Sequence, residues 1–474
     1  MNLPLITSSL FAFVGYILLF YMLAVIFVYT MMLIIAFIRL TKERKLQKNL
    51  TDEEAVDFIY TQPVTVIVPA YNEQVGVLGN IYSLLALEYP EFEILVVNDG
   101  STDETEALVI KQFDMKPLKK VIHQQLDTKP IQAIYQSEIH PNLRLITKEN
   151  GGKADALNAG INVSKYPYFC SVDGDSMLDR TSLLRVMKPI MESNKEVVAT
   201  GGNVRIANGY DIQMGQMVRE GLPISNIIKM QIVEYMRAFL MGRIALSRFN
   251  LVLIISGAFS VFTKKFVLEV GGYSTKTVGE DMELVVKLHK AIGDSDENKE
   301  IVFTADPICW TEAPDTLADL RTQRRRWHQG LAESLWLHKT MAFNPRYGLV
   351  GLVSYPYFLL LELLGPLIEL VGYVYLIISL FMGEVYIMFA GLLGLTFLLY
   401  GSLFSMASVL LEAWSRNTFP KIEELISLVL LSLTEVFWYR PLTIIWRVEG
   451  IVRALRGKRE WGQIKRRGLS EDSE

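Results

Sequence analysis

Cysteine and histidine are scarce in this chain, with two cysteines and five histidines in 474 residues. Cys170 and Cys309 lie in separate apolar, strand-like runs. They read as small buried hydrophobes of a reducing compartment rather than as a disulfide pair. No HExxH and no CxxC occurs, which removes the ordinary zinc arrangements. Charge is missing altogether between Met1 and Ile38. That stretch is too long for a secretory signal, lacks a basic leading segment and has no small-residue cleavage site after it. It reads as an uncleaved transmembrane helix over residues 9–38.

The chain is 51% hydrophobic and 21% charged, too apolar for an ordinary soluble protein and too charged for one lying wholly in lipid. A membrane protein with one large water-facing domain fits both figures. The formal net charge of -4 is unevenly spread and says little about partners; no nucleic-acid partner is expected. Arg39, Lys42, Arg44, Lys45 and Lys48 follow the first helix directly. By the positive-inside rule they place the next segment in the cytoplasm and the N-terminus outside.

Residues 60 to 320 alternate β-rich and helical runs. Val64–Pro69, Glu93–Asn98, Leu143–Thr147 and Tyr168–Val172 read as strands, and Gly76–Leu87 and Lys153–Val163 as helices. This repetition predicts a mostly parallel α/β sheet with helices on both faces, which binds ligands beyond the carboxyl ends of its strands. Phe113–Pro141 reads as a polar surface insertion. Residues 221–250 carry Lys229, Arg237, Arg243 and Arg248 among apolar residues. They fit either a basic helix lying at the membrane interface or an ordinary helix packed on the sheet. Arg324–Lys339 is a second interfacial candidate.

Beyond Tyr347 the chain turns apolar again, with helices expected at 357–381 and 385–411. A last apolar stretch, 425–446, is interrupted by Glu435, Arg440 and Pro441. Three complete crossings satisfy the charge clusters, provided that 425–446 is bent, re-entrant or interfacial. The expected layout is an N-terminal transmembrane helix in 1–40, a cytoplasmic domain with interfacial helices in 50–340, a transmembrane and interfacial region in 345–455, and a cytoplasmic basic tail in 456–474.

Three signatures carry chemistry. Asp173-Gly174-Asp175 follows a strand, and two aspartates one residue apart can present carboxylates to a divalent cation and to a ribose or a water; alone, such a pair is more readily a solvated turn. A calcium EF-hand is excluded, because Leu178 and Leu184 stand where that loop needs Gly and Glu. Glu280-Asp281 opens an apolar helical run, as helix-terminal carboxylates or as a general base. Gln323-Arg324-Arg325-Arg326-Trp327 fits a lipid-interface anchor, or a cation for a departing diphosphate beside a face for a sugar ring. Asn98-Asp99-Gly100-Ser101 suits a turn with a helix cap or a ligand contact. Gly151-Gly152-Lys153 lacks the full phosphate-loop pattern, yet Lys153 can reach a phosphate from a helix start.

Read in order, Val68-Pro69-Ala70-Tyr71-Asn72-Glu73, Asn98-Asp99-Gly100-Ser101, Gly152-Lys153-Ala154-Asp155-Ala156-Leu157-Asn158, Asp173-Gly174-Asp175, Glu280-Asp281 and Gln323-x-x-Arg326-Trp327 resemble the processive family-2 glycosyltransferases. That group includes cellulose, hyaluronan and poly-N-acetylglucosamine synthases, and the resemblance covers residues 60–340. It implies a GT-A fold, a UDP-sugar donor (UDP-glucose or UDP-N-acetylglucosamine), Mg2+ or Mn2+, and inversion at the anomeric carbon. Asn72, Glu73 and Asp99 would lie around the uridine, and Lys153 and Asp173 would contact the nucleotide. Asp175, with Asp173, would hold the metal. Asp281, beside Glu280, would take the proton from the acceptor hydroxyl. Gln323, Arg326 and Trp327 would frame the diphosphate and the acceptor end, and Ser256 and Gly257 would line the acceptor site.

The expected partners are the UDP-sugar donor, a polysaccharide or glycolipid acceptor, the lipid bilayer and accessory export subunits. Two other readings stay open: transfer of one or a few sugars to a lipid acceptor, and a non-catalytic membrane nucleotide-sugar sensor or partner subunit. Departures from the family pattern are Asn98 for Asp and Gly279 for Thr. No appended regulatory module is expected after residue 460. Glu362 and Glu369, seven apart on one membrane helix, fit either a polymer path or a pair turned to headgroups.

Overall fold

A computed structural model of the protein describes residues 3–49, 61–119, 121–213, 216–219, 221–295, 298–379, 381, 384–416 and 421–457. The expected basic tail from Lys458 onward lies outside the described residues. Twelve strands run in chain order: β1 Val64–Ala70, β2 Phe92–Asn98, β3 Met115–Pro117, β4 Ile131–Ser137, β5 Leu143–Lys148, β6 Tyr168–Val172, β7 Ser176–Leu178, β8 Glu196–Ile206, β9 Asp211–Gln213, β10 Gln216–Arg219, β11 Phe259–Thr263 and β12 Lys299–Thr311. Ten form one sheet in the order β3-β4-β5-β2-β1-β6-β11-β8-β12-β7, and β9 and β10 form a separate hairpin.

The centre of the sheet, β5-β2-β1-β6, is parallel, and β11 then runs antiparallel to both β6 and β8. The sheet is therefore mixed, with its parallel character concentrated where the site lies. β1 shows why. Val64, Thr65, Val66, Ile67 and Val68 are all buried, a run of mostly β-branched residues suited to a strand covered on both faces. The register pairs Ala70 with Asn98, so the two strands end side by side. The helix Lys153–Val163 is buried from Ala154 to Val163, and a Cβ on its Gly160 would sit 2.4 Å from Ile67.

One expectation is corrected. Phe113–Pro141 is no surface insertion, because it supplies β3 and β4 and β4 pairs antiparallel with β5. Polar residues on both faces of β4 hide its alternation, and only its partners reveal it. Residues 221–250, open between two readings, form helix packed against the sheet and against apolar helices. Asn226–Met236, a π-helical turn Arg237–Arg243 and Ile244–Ser247 run on from one another, with Met230, Val233, Leu240 and Met241 buried. They pack between β8 and the helices Phe404–Arg416 and Leu3–Asn49.

Among the described residues three helical stretches are long and apolar enough to cross a membrane: Phe11–Lys45, Val350–Ser379 and Ile387–Ser415. Ile422–Thr434 and Tyr439–Leu455 form a further pair bent by 62° at a short break. The break coincides with the charged residues that interrupt the apolar run. Glu435 accepts from Arg237 at 3.0 Å, and Arg440 donates to both oxygens of Glu369 at 2.7 and 2.9 Å. Pro441 sits in the first turn of the second helix, where a missing N–H costs nothing. Arg440→Ala leaves Glu369 without its cation and should cost about 3–5 kcal/mol, while Glu369→Leu with Arg440→Leu should recover most of it. Thermal unfolding of the purified protein in detergent reads both values; equal losses in the two would refute the assignment.

Candidate active site

All the motifs converge on one cavity of about 1050 Å³ whose wall includes every candidate site residue named from the sequence. Their side chains are held by different elements. β6 ends at Val172, and Asp173–Asp175 turn the chain into β7. Asn80 braces that turn, donating through Nδ2 to the carbonyl of Asp173 at 3.1 Å and to that of Ser176. Its Oδ1 is buried without a hydrogen-bond partner.

Lys153 stands at the middle. Its ammonium lies 2.5 Å from Asp173 and 3.5 Å from Glu280. Burial pulls its pKa down, and Asp173, Glu280 and Asp281 more than offset that, leaving it raised. Burial pushes the Glu280 carboxyl up; Lys153 opposes the shift and Asp281 adds to it. Asp281 is less buried and accepts hydrogen bonds from the backbone N–H of Gly257 at 3.1 Å and of Met282 at 2.8 Å. Both acids open the helix Glu280–Ser295, where the macrodipole favours negative charge.

Asp99 lines the cavity and also holds a loop. Its carboxylate accepts from Lys148 at 2.5 Å, Gly151 N at 3.0 Å and Gly152 N at 2.7 Å. Lys148, fully buried, also pairs with Asp155 at 2.7 Å. Asp99 thereby folds the loop that delivers Lys153, and Gly152 takes the positive φ of +88° that this loop needs. Asn72 is likewise latched, accepting through Oδ1 from Thr102 N at 2.8 Å while its own N–H donates to Ser101 at 3.0 Å. Ser256 and Gly257 lie just before β11, on the side of Asp281.

The helix Leu317–Leu337 sets Gln323, Arg326, Trp327 and Gly330 at i, i+3, i+4 and i+7, one face that lines the cavity. Trp327 is 43% exposed. Arg324 is not a lipid anchor: it is 1% exposed and donates to Glu234 at 2.7 Å. Glu234 also accepts from Tyr439 at 2.7 Å and from Arg447 at 2.8 Å. Burial acts to raise its pKa, but Arg324, Arg447 and the Tyr439 hydroxyl hold it down to about 2. Neither Asn80, Lys148 nor Glu234 has a local sequence signal, since each acts on a partner far along the chain.

Glu362 and Glu369 also line the cavity, which places them inside the helix bundle rather than at headgroups. Glu362 accepts from Tyr357 at 2.6 Å and Tyr29 at 3.3 Å. A divalent cation fits Asp173 and Asp175, two hard carboxylates on the cavity wall. Among the described residues no group of three or more His, Cys, Asp and Glu gathers to hold an ion by itself, so substrate oxygens would have to complete the shell.

Comparison with known proteins follows the same lines. The model of glycosyl transferase family group 2 matches residues 171–434, and that of glycosyl transferase family 2 matches residues 65–137. A poly-β-1,6-N-acetyl-D-glucosamine synthase of Staphylococcus epidermidis is 30% identical over 275 residues, covering 57% of this chain and 55% of that protein. The Staphylococcus aureus protein of the same name (strain COL) is 29% identical over 294 residues, covering 62% of this chain and 60% of that one. The chain thus matches little more than half the length of these curated relatives. A mannosyltransferase from Pyrobaculum calidifontis, solved with GDP-Man and Mn2+, superposes with a TM-score of 0.53 at 18% identity, covering 89% of this chain and 99% of that one. The likeness is one of fold, a GT-A-like mixed sheet with flanking helices.

The geometry yields two stability predictions. A Cβ on Gly330 would lie 2.7 Å from Gly279 Cα, and one on Gly279 equally close to Gly330 Cα. Gly330→Ala should therefore cost about 1–3 kcal/mol by overpacking. Gly279→Thr, which restores the residue common in the family, should be no better tolerated here. Melting curves of both variants that match the wild type would disprove the close approach. Glu234, with its folded pKa depressed below that of an ordinary carboxylate, contributes stability that is present above about pH 4.5 and lost as pH falls toward 2. Glu234→Gln should flatten that acid limb in a Tm–pH series; an unchanged limb would place the titration elsewhere.

Proposed function

The chain belongs to glycosyl transferase family group 2, and we propose that it is an inverting membrane glycosyltransferase that extends a β-linked polysaccharide from a UDP-sugar. UDP-N-acetylglucosamine is the donor best supported, through the staphylococcal relatives. The observation that carries the reading is the continuity of the cavity. One space is lined by Asp173, Asp175 and Asp281 and also by Trp327, Glu369 and Arg440, the last two on membrane helices. A product made at Asp281 has a walled route toward the bilayer.

In this reading the base and ribose rest against Asn72, Glu73 and the loop that Asp99 folds. The diphosphate lies between Lys153, Arg326 and Gln323. Asp173 and Asp175 would hold Mg2+ or Mn2+, which when bound neutralises charge on the departing diphosphate. Asp281 takes the proton of the acceptor hydroxyl as that oxygen bonds to the anomeric carbon. The carbon–oxygen bond to the nucleotide breaks, and its electron pair leaves with the UDP. Two backbone N–H groups orient the Asp281 carboxylate toward the cavity beside Lys153. Lys153 and Arg326 supply fixed positive charge where the leaving group develops negative charge. Trp327 and the Ser256–Gly257 turn flank the acceptor end. The basic residues after the first helix support a catalytic domain in the cytoplasm.

The test is a panel of labelled UDP-sugars supplied to membranes containing the protein. High-molecular-weight product sensitive to β-specific glycosidases is expected, and Asp281→Asn should lower its formation by about 100-fold or more. Organic-soluble label alone would point to a glycolipid product, and unchanged synthesis in Asp281→Asn would remove the base assignment.

A further inference from the structure

The π-helical turn Arg237–Arg243 brings side chains to the cavity that none of the roles above employs. Such wide turns displace one residue from the regular helical ladder and recur where a side chain must be re-aimed at a ligand. Tyr235, Phe239 and Arg243, each four residues apart, all line the cavity. The Tyr235 and Phe239 ring centroids are 5.6 Å apart, and the Arg243 guanidinium lies 3.9 Å from the Phe239 centroid. Phe303 backs the same guanidinium at 6.0 Å, and Trp327 stands 6.2 Å from Tyr235. A row of three planar groups in tilted contact is thus continued by the exposed tryptophan.

Arg243 differs from four other arginines of the cavity wall. Arg237, Arg324, Arg440 and Arg447 each hold a glutamate. Arg243 holds none among the described residues, and its Nη1 is buried without a hydrogen-bond partner. Burial draws it down to about 10, and Asp281 is the first charge acting against that pull, which sets the two on the same side of the cavity. A buried donor left open toward a cavity, held against the Phe239 ring and beside the base, is arranged for an acceptor atom that arrives with a ligand. The ligand's charge follows from the wall, which carries twelve Asp and Glu against seven Lys and Arg. That excess disfavours an anionic group beyond the donor's diphosphate and favours a neutral, oxygen-rich one.

We propose that Tyr235, Phe239 and Arg243 form the acceptor subsite, with a neutral terminal sugar lying along Tyr235 and Trp327 and accepting from Arg243 through an oxygen beside the reacting hydroxyl. The inference rests on the polysaccharide-synthase reading and adds to it a group that positions the acceptor. Without that hydrogen bond the acceptor hydroxyl is less often in line, and water takes the sugar instead.

The experiment uses membranes containing the full-length protein and labelled UDP-N-acetylglucosamine. It follows label in polymer, label released as free sugar, and inhibition by UDP. Arg243→Ala should raise the ratio of hydrolysis to transfer by about tenfold while UDP inhibition stays unchanged, and Arg243→Lys should restore part of the transfer. Arg243→Gln keeps the length of the side chain and serves if the alanine variant fails to accumulate. Parallel loss of transfer and hydrolysis, or a shift in UDP inhibition that tracks the loss, overturns the subsite. A wild-type protein that transfers from no UDP-sugar sinks the functional reading itself, whereas an active wild type with an unchanged ratio in Arg243→Ala sinks only this inference.

Discussion

One ammonium organises the centre of this molecule. Lys153 lies against Asp173 and Glu280 and within electrostatic reach of Asp281, so three carboxylates from two distant segments share one cation. Two like charges about 4 Å apart repel by about 4 kcal/mol at the effective dielectric typical near a protein surface. The aspartate turn after β6 and the start of the helix Glu280–Ser295 can approach only with the lysine between them. Lys153 cannot shift to relieve a misfit, because it heads a helix buried along its length and follows a loop pinned by Asp99, Lys148 and Asp155. The site is rigid where its charges are densest.

A second set of charges joins this centre to the membrane helices. Glu234 gathers Arg324, Arg447 and Tyr439, and so ties the helix bearing Trp327 to the second arm of the bent pair. Glu435 and Glu369 gather Arg237 and Arg440, tying the π-helical turn to the same arm and to Val350–Ser379. Ionised groups at such depth are expensive unless paired, and here each named pair is closed at hydrogen-bond distance. The two networks meet on Arg237 and Glu234, three residues apart on one stretch of helix. A shift of the membrane arm would therefore be felt at Trp327 and at Tyr235 together.

The centre of the fold was legible in the sequence because its signals are local. Lys153–Val163 and Tyr168–Val172 are helix and strand as expected, since an uninterrupted run and a β-branched, aromatic pentad each declare themselves. The sheet edge was not legible. β4 reads Ile-Gln-Ala-Ile-Tyr-Gln-Ser, too polar to declare a strand without its partner β5. Residues 221–250 stayed open between two readings for a related reason: their arginines resemble a lipid-facing charge pattern until Glu435 is known to sit against Arg237. Composition cannot distinguish a cation facing headgroups from one facing a buried acid two hundred residues away.

The motifs themselves divide into residues that face the cavity and residues that aim them, and sequence alone does not make the division. Asp99 belongs to a motif, yet its oxygens are taken by Lys148, Gly151 and Gly152, so its main effect is to place Lys153. Gly279 departs from the family pattern and looks like a loss until Gly330 is seen against it. Two glycines allow the helix carrying Trp327 to touch the start of the helix carrying Asp281, backbone on backbone. A threonine at 279 would hold the helices apart by the width of a side chain and move the tryptophan away from the aspartate. The missing side chain thus brings the two last motifs of the chain together, and the departure belongs to the same geometry as the motifs around it.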